Sequence, residues 1–376
     1  MYLEDYEPIE SIPEARDHSA MIAKLNEVLR PCGTYIHLYG ECARITTYSC
    51  KIRPGTERIL KSIDFTTILD DSRVMTQKEG ATFRIMVPED NYSLTFDMAE
   101  SFNDILHNDK IASLPVMIGQ GTDNFMYRKN IDSFPHLLIA GTTGSGKSVA
   151  IHNILCGLLQ THLDDTEYFL IDGKGSELSL YEGIGGFHFI RDTQEAVRTL
   201  NVIIREMRRR YATFQLNGVQ DFRSYNDSCR NRMKYIVIVV DELAQLMIEN
   251  RKGIEPLLIQ IAQLGRAAGI HMILATQSPK KEVVTGLIRA NVPARLILRT
   301  ATAIDSRIVL GQNGAEKLLG KGDALFVSND NTDPLRVQVP YISDELIKFI
   351  ADDAIFCQAT QESRFPYLPA IYSARG

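Results

Sequence analysis

Eight residues near the middle of the chain have the types and spacing of a phosphate-binding loop. The run GTTGSGKS, residues 141–148, fits the pattern G-x-x-x-x-G-K-[ST]. Its glycines allow backbone N–H groups to turn inward around an anion, and the N-terminus of a following helix adds a favourable dipole. Lys147 is expected to reach the β- and γ-phosphates of a nucleotide, and the Ser148 hydroxyl to complete a Mg²⁺ shell.

The segments on either side of this run have the patterns that such a loop requires. Residues 137–139 are apolar and predict a buried strand. The residues after the loop predict an amphipathic helix, with apolar side chains at Val149, Ile151, Ile154, Leu155 and Leu158. A chance match in a glycine-rich loop is the alternative, and this strand–loop–helix context argues against it. The predicted nucleotide-binding residues are Gly141, Thr142, Thr143, Gly144, Ser145, Gly146, Lys147, Ser148 and Val149.

A pair of acidic residues follows a second apolar run. Tyr235–Val240 predicts a central strand that ends at Asp241 and Glu242. In open α/β sheets, ligands bind at the carboxyl ends of the strands. We expect Asp241 to hold Mg²⁺ and Glu242 to orient or deprotonate the water that attacks the γ-phosphate. Because a phosphate-loop kinase must avoid attack by water, this pair favours an ATP hydrolase; the alternative is that Glu242 merely caps the next helix.

A third apolar run ends in a polar side chain that could sense the nucleotide. Residues 271–275 predict a strand, and Thr276 and Gln277 follow it. Gln277 could hydrogen-bond the γ-phosphate or the attacking water. A helix-capping role for Thr276 and Gln277 is the alternative.

The composition is that of a soluble globular protein. The chain has 376 residues, of which 44% are hydrophobic and 23% charged, with a net charge of −6. This charge excludes a protein coated in basic surface, but it allows a local basic lining for nucleic acid. No apolar run is as long as a membrane helix, which needs about 20 residues. The acidic N-terminus lacks the pattern of a signal peptide. We therefore expect a cytoplasmic protein with no membrane segment of its own. Its six cysteines form no CxxC pair and predict free thiols.

The patterning predicts four regions along the chain. Residues 1–20 form an acidic lead, and 21–114 a small α+β domain. Residues 115–345 form an α/β motor domain, and 346–376 a C-terminal helix and extended tail. Short helices are expected over 20–30 and 99–106. The small-domain strands are expected over 34–38, 43–50 and 82–88.

In the motor domain, strand and helix patterns alternate. This alternation predicts a mostly parallel sheet covered by helices on both faces. Asp192 and Glu195 predict the capped start of a long helix. The predicted strands are His136–Ala140, Tyr168–Ile171, Tyr235–Val240, His271–Ala275, Leu296–Leu298 and Ala324–Val327.

At these residues the chain resembles the FtsK/SpoIIIE family of double-stranded-DNA translocases, over about residues 115–340. Seven segments, in the family's order and approximate spacing, are similar to family motifs. They are PHLLIAGTTGSGKSVA (135–150), IDGKGSELSLYEGI (171–184), EMRRRYATF (206–214), IVVDELAQLM (238–247), RAAGIHMILATQSP (266–279), VVTGLIRANVPARL (283–296) and DSRIVLGQNGAEKLLGKGDALF (305–326). The small domain is weakly similar to the α-domain that precedes the motor in this family.

The resemblance implies a RecA-like P-loop NTPase fold that assembles as a hexameric ring around duplex DNA. ATP would lie between subunits, and the neighbouring subunit would contribute to each site. Arg266 and Arg307 are then the candidates for a charge delivered in trans to the γ-phosphate. For both arginines, the alternative to this catalytic role is a structural ion pair.

Six basic residues become candidates for contacts with the DNA backbone, which need no sequence recognition. A solvated helix face is the alternative for the arginine run. The candidates are Lys174, Arg208, Arg209, Arg210, Lys280 and Lys281.

The chain also departs from the family pattern. Gly173 replaces a proline and Ser278 an arginine, and the length leaves no room for the family's linker and winged-helix module. These departures favour a short member from a phage, plasmid or integrative element over an excised motor, with a partner protein for anchoring or orientation. The main functional alternative is a ring ATPase of a secretion or conjugation system, acting on a protein or protein–DNA substrate. A nucleotide-binding scaffold without hydrolysis is disfavoured because Lys147, Ser148, Asp241 and Glu242 are all present.

Overall fold

A computed structural model describes residues 18–42, 44–88, 114–123, 125–329 and 331–360. The acidic lead, the helix expected over 99–106 and the extended tail lie outside the described residues. Within the described ranges, no helix is both long and apolar enough to cross a membrane.

The small domain is a four-stranded antiparallel sheet with short helices. Its strands are Ile36–Cys42 (β1), Ile45–Lys51 (β2), Met75–Glu79 (β3) and Thr82–Pro88 (β4), in the order β1-β2-β4-β3. Its helices are Ser19–Leu29 (α1), Glu57–Ser62 (α2) and Phe65–Leu69 (α3). Leu25 and Leu29 of α1 pack with Tyr48, Phe83 and Ile85 of the sheet in a separate apolar core. The helix predicted over 20–30 is present as α1, and β3 was not predicted.

The motor domain is built on a ten-stranded sheet. The strand order is β6-β5-β14-β13-β12-β7-β11-β10-β8-β9. The six strands from β12 to β9 are parallel, and the other four pair antiparallel. The ten strands are Pro115–Gly121 (β5), Met126–Asn130 (β6), His136–Ala140 (β7), Thr166–Ile171 (β8), Phe187–Ile190 (β9), Tyr235–Val240 (β10), Ile270–Thr276 (β11), Ala294–Leu298 (β12), Asp323–Ser328 (β13) and Asn331–Gln338 (β14).

Helices cover both faces of this sheet, so the predicted α/β architecture is confirmed. Two apolar cores, one on each face, are formed where the helices pack on the strands. The helices are Lys147–His162 (α4), Thr193–Leu216 (α5), Phe222–Ser228 (α6), Leu243–Leu264 (α7), Gly286–Asn291 (α8), Ala303–Leu310 (α9) and Asp344–Thr360 (α10). Short 3-10 helices include Ser179–Tyr181, Arg266–Ala268 and Ala315–Lys317.

The capped start predicted for the long helix is found in α5. The Asp192 carboxylate accepts a hydrogen bond from the backbone N–H of Glu195 at 2.7 Å. The Glu195 carboxylate in turn accepts from the backbone N–H of Arg191 at 3.2 Å. Buried side chains such as Leu200 and Phe214 follow at helical spacing and fix one face of α5 on the sheet.

The C-terminal helix α10 belongs to the motor. Leu346, Ile347 and Ile350 are buried in the core that also contains apolar residues of α4. Among the cysteines whose side chains the structure describes, the free thiols are Cys32, Cys50, Cys156, Cys229 and Cys357.

Hydrogen bonds between described residues connect the small domain to the motor, and a cavity of about 560 Å³ lies at this contact. Arg44 Nη2 donates to the Gly320 carbonyl at 2.8 Å, and Gln77 Nε2 donates to the Pro334 carbonyl at 2.9 Å. From the motor side, Lys317 Nζ donates to the Val74 carbonyl at 3.4 Å.

Candidate nucleotide site

The predicted phosphate loop connects β7 to α4 at the carboxyl edge of the parallel strands. All five residues of β7 are buried, and the strand pairs with β12 on one side and β11 on the other. Gly146, the residue before α4, has a φ of 104°. A Cβ at this position would lie 2.6 Å from the backbone nitrogen of Gly322, so only glycine fits without a shift.

Neighbouring segments hold the outer side of this loop. The carbonyls of Gly144 and Ser145 accept hydrogen bonds from the backbone N–H groups of Lys321 and Gly322, at 3.3 and 2.7 Å. The carbonyl of Arg299 accepts from Thr142 twice, from its N–H at 2.9 Å and its hydroxyl at 3.1 Å. The first N–H groups of α4 have no carbonyl one turn earlier in the helix. They therefore form the natural anion-binding face of the loop.

Lys147 and Asp241 meet beneath the loop. The Lys147 ammonium donates to Asp241 Oδ1 at 2.6 Å and to the Asp241 carbonyl at 2.8 Å. Both side chains are buried. Asp241 directly follows β10, and its N–H donates to the Ile171 carbonyl of β8, which fixes the backbone position. The structure thus brings together two residues that lie 94 positions apart in sequence.

Glu242 is held by three donors. Its carboxylate accepts hydrogen bonds from the Thr276 hydroxyl at 2.7 Å and from the Gln277 N–H at 3.0 Å. It also accepts from the Ala244 N–H at 3.2 Å, so it caps α7 as the alternative interpretation expected. Capping and a position at the site are compatible, because the same carboxylate does both.

Gln277 links the third strand to the phosphate loop. Its side-chain carbonyl accepts a hydrogen bond from the Thr143 hydroxyl at 2.9 Å. With the Gln277 N–H on Glu242, this forms a continuous path from the loop to the acidic residue.

A cavity of about 600 Å³ adjoins these groups. It is lined by most of the predicted loop residues together with Val149 and Gln277. This volume is within the usual range for small-molecule sites. The sequence analysis missed four lining residues: Glu177, Lys321, Val339 and Tyr341. Tyr341 is 60% exposed and, with Val339, forms an apolar wall suited to a nucleotide base.

The side chains fit a magnesium ion held jointly with phosphate. Ser148 and Asp241 offer a hydroxyl and a carboxylate oxygen, the donor types that Mg²⁺ prefers. Among the described residues, no group of three or more His, Cys, Asp or Glu could hold a metal on its own. Phosphate oxygens and water would therefore complete the coordination, as is usual for Mg²⁺.

Neither candidate trans arginine is among the described residues that line the cavity. Arg266 lies before β11, at the amino edge of the sheet, and its side chain is exposed. The length of β11 therefore separates Arg266 from Gln277. Arg307 is exposed on α9, and its Nε donates to Asn313 Oδ1 at 2.8 Å.

The DNA candidates fall on two edges of the sheet. Lys174 follows β8, and Lys280 and Lys281 follow β11, so these three exposed residues lie at the carboxyl edge. Arg208 and Arg209 are exposed near the C-terminal end of α5, which lies at the opposite edge.

Arg210 is a structural residue in this conformation. It is buried, and its guanidinium donates to the carbonyls of Ala268 and Lys234 at 2.7 Å each. Its Nε donates to Glu206 at 3.0 Å. The helical phase explains the difference from Arg209, which points outward and pairs with the same glutamate. We therefore remove Arg210 from the DNA candidates.

Comparison with known proteins finds a family match for the part of the chain that contains the site. Residues 99–281 match the FtsK/SpoIIIE family. The chain contains an FtsK/SpoIIIE domain. This domain spans the phosphate loop, Asp241, Glu242 and Gln277, whereas the candidate Arg307 lies outside the matched residues.

Relatives of the FtsK/SpoIIIE domain are DNA translocases by name. The chain is 41% identical over 267 residues to the DNA translocase FtsK of Leptospira interrogans (strain Fiocruz L1-130), covering 67% of this chain and 28% of that protein. It is also 41% identical over 272 residues to the FtsK of Lactiplantibacillus plantarum, covering 66% and 34%. The chain thus spans about a third or less of these relatives.

Solved structures support the P-loop ATPase fold. The pCW3 conjugation coupling protein TcpA, in monomer form with ATPgS, superposes with a TM-score of 0.64 at 24% identity, covering 90% of this chain and 100% of that one. The cytoplasmic domain of the Thermomonospora curvata Type VII secretion ATPase EccC gives 0.58 at 24% identity, covering 66% and 32%. The predicted RecA-like α/β fold is confirmed.

Proposed function

We propose that this chain hydrolyses ATP and uses the energy to move double-stranded DNA through a ring of subunits. The observation that carries the catalytic part is the connected set of Lys147, Asp241, Glu242 and Gln277 at one edge of the sheet. The DNA part rests on the FtsK/SpoIIIE domain and on the named function of its relatives.

The phosphate loop and Lys147 would bind the triphosphate. Because the Lys147 ammonium lies 2.6 Å from Asp241 Oδ1, a phosphate held by the lysine would be adjacent to a cation held by the aspartate. Ser148 and Asp241 would hold Mg²⁺, which neutralises the charge that develops on the phosphates. Val339 and Tyr341 would pack against the base.

Glu242 would accept the proton of the attacking water. Its three donors, from Thr276, Gln277 and Ala244, fix the position of the carboxylate. A carboxylate in a fixed position is what a general base for water requires. The bond between Gln277 and Thr143 would make the base sensitive to the state of the loop.

The ring is part of the proposal because no arginine lines the cavity among the described residues. Arg266 and Arg307 are exposed and away from the cavity of their own subunit, which is compatible with delivery to a neighbour. A planar guanidinium suits the charge that grows on the γ-phosphate. We expect six subunits, in the cytoplasm.

Exposed lysines at the carboxyl edge would contact the DNA backbone. Lys174, Lys280 and Lys281 offer charge without base-reading geometry, so binding should be independent of sequence and weaken steeply with salt.

The decisive experiment measures ATP hydrolysis with and without duplex DNA. We expect stimulation by DNA, loss of activity in Lys147→Ala and Glu242→Gln, and retained activity in Arg58→Ala, a change at an exposed site in α2. Equal hydrolysis with and without duplex DNA would refute translocation as the function. Particle images with DNA and a slowly hydrolysed ATP analogue would give the ring size and the trans arginine.

A second candidate is a role in conjugation, with a protein–DNA complex as substrate. One observation favours it: the pCW3 conjugation coupling protein TcpA aligns with 90% of this chain over its full length. A dedicated protein substrate in pulldowns, with no affinity for bare DNA at low salt, would favour this candidate. High affinity for bare duplex DNA would favour autonomous translocation.

A further inference from the structure

A left-handed turn braces the outer side of the phosphate loop. We call residues 319–322 the loop brace. Three consecutive residues, Gly320, Lys321 and Gly322, have φ values of 76°, 50° and 92°. Glycine adopts this conformation without penalty, but Lys321 does not, so the brace depends on external contacts to keep its shape. In this shape its N–H groups donate to the Gly144 and Ser145 carbonyls of the loop.

The motor domain anchors the brace from one side. Asp323 and Arg336 form a fully buried, two-bond ion pair, at 3.0 and 2.8 Å. The Asp323 carboxylate also accepts from the N–H of Leu319 at 2.8 Å. Gln338 donates to the Lys321 carbonyl at 2.9 Å. These contacts fix both ends of the brace on β13 and β14.

The small domain anchors it from the other side. Arg44, in the turn between β1 and β2, donates from Nη2 to the Gly320 carbonyl at 2.8 Å. The contact spans 276 sequence positions. Only one residue, Lys321, separates Gly320 from Gly322, whose N–H bonds the Ser145 carbonyl at 2.7 Å. A charge-assisted bond from one domain therefore ends next to the backbone that shapes the nucleotide site of the other.

We propose that Arg44 is a positioning residue for the phosphate loop, through which docking of the small domain sets the affinity of the motor for ATP. The proposal rests on the proposed ATPase function of the same site. Arg44 acts through Gly320 and the loop brace, and it does not touch the nucleotide. Movement of the small domain away from the motor would release the Gly320 carbonyl, relax the brace and loosen the loop.

The test measures amide hydrogen exchange and binding of a slowly hydrolysed ATP analogue with Mg²⁺. In Arg44→Ala we expect faster exchange of peptides that cover 141–148 and 319–322, measured without nucleotide or DNA. We expect the Kd of the analogue to rise about three- to tenfold, which is within the net contribution of one ordinary hydrogen bond. The kcat at saturating ATP should stay within about twofold, and Arg44→Lys should restore part of the affinity because an ammonium can still donate.

Two variants give the controls. Gln77→Ala removes another small-domain bond, to Pro334, which does not touch the brace, and it should leave exchange of 141–148 and the Kd unchanged. Arg44→Met keeps the aliphatic stem and removes the donors, and it replaces Arg44→Ala if thermal unfolding shows that the alanine variant is not folded.

The outcomes separate this proposal from the proposed function. Unchanged exchange or unchanged Kd in the Arg44 variants overturns it, as do effects equal to those of Gln77→Ala. Absence of DNA stimulation in the parent protein would refute translocation and leave the exchange and Kd measurements as a complete test of Arg44.

Discussion

The two halves of the motor sheet divide the work between chemistry and support. In the parallel half, Asp241 and Gln277 directly follow strands β10 and β11, and Lys147 follows β7 after the phosphate loop. Because these three strands are neighbours, the three residues lie close together. In the antiparallel half, strands β13 and β14 carry a buried ion pair and the loop brace.

This division shows that the nucleotide site depends on the two halves of the sheet in different ways. The parallel half acts directly on phosphate and water, because its strand ends all lie at the edge where ligands bind. The antiparallel half acts through backbone hydrogen bonds on the outer side of the loop. Damage to the first should abolish hydrolysis in a folded protein, whereas damage to the second should first reduce stability and affinity.

The largest effect should come from removing the base in the parallel half. We expect Glu242→Gln to lower kcat by about 10²–10⁴-fold, because an amide cannot accept the proton of water. Binding of ATP should persist, since glutamine keeps an acceptor for the Thr276 and Gln277 donors. Steady-state hydrolysis and nucleotide binding measure the two effects. Glu27→Gln on α1 is the matched control. A kcat of Glu242→Gln within about threefold of the parent would contradict the assignment of Glu242 as the base.

In the antiparallel half, the corresponding test is the buried ion pair. Asp323→Ala should reduce the free energy of unfolding by about 3–5 kcal/mol, because it leaves the Arg336 charge buried without its partner carboxylate. Urea unfolding measures this loss.

A double variant tests the cause of that loss. Asp323→Leu combined with Arg336→Met should recover most of the stability, since an apolar pair avoids the cost of burying charge. A loss below about 1 kcal/mol in Asp323→Ala would show that the pair is not important for the fold.

Acid should destabilise the parallel half through buried histidines. His136, at the start of β7, is fully buried and accepts a hydrogen bond from the Met272 N–H. Burial, with a smaller effect of His271, lowers the pKa of His136 from 6.5 to about 3. The unfolded chain therefore binds more protons than the folded one between these values, and stability falls as the pH decreases below about 6.5.

We expect the shifted pKa of His136 alone to lower the free energy of unfolding by about 2 kcal/mol when the pH falls from 7 to 5. Unfolding at a series of pH values gives the slope of the unfolding free energy against pH. His136→Gln should reduce this slope by the equivalent of up to one bound proton. Substitution of the exposed His37 by glutamine is the control. An unchanged slope in His136→Gln would assign the acid sensitivity to other groups.

The smallest predicted effect concerns Tyr341, which follows β14 of the antiparallel half and lines the nucleotide cavity. Tyr341→Ala should raise the Kd for ATP about three- to tenfold through lost packing on the base, and Tyr341→Phe should retain affinity because the ring is kept. Equilibrium binding measures both. Equal affinities for the alanine and parent proteins would place the base elsewhere.

Sequence patterns predicted five of the six strands of the parallel half because those strands are largely buried runs; they missed the edge strand β9, which is only partly buried. Tyr235–Val240 was predicted residue for residue, and Asp241 and Glu242 were located by the same run. The long helix α5 was located by its cap at Asp192. These features are local in sequence, so one strand or one turn is enough to reveal them.

The antiparallel half was less visible because its pairings are distant in sequence. Strands β5 and β14 meet although more than 200 residues separate them, and β6 is half-buried throughout. Tyr341 has no motif of its own and reaches the cavity only because β14 lies beside β13. Arg210 shows the opposite limit: a run of three arginines does not say which one faces inward until the helical phase against Ala268 is known.

The pairing of β5 with β14 also has an architectural consequence. Val337 and Gln338, at the end of the motor sheet, are partners of Gly121 and Gln120 near its beginning. The chain thus enters and leaves this sheet through adjacent strands. Because α10 follows β14 and packs in the same core, a graft of this domain into a longer polypeptide would be joined before β5 and after α10.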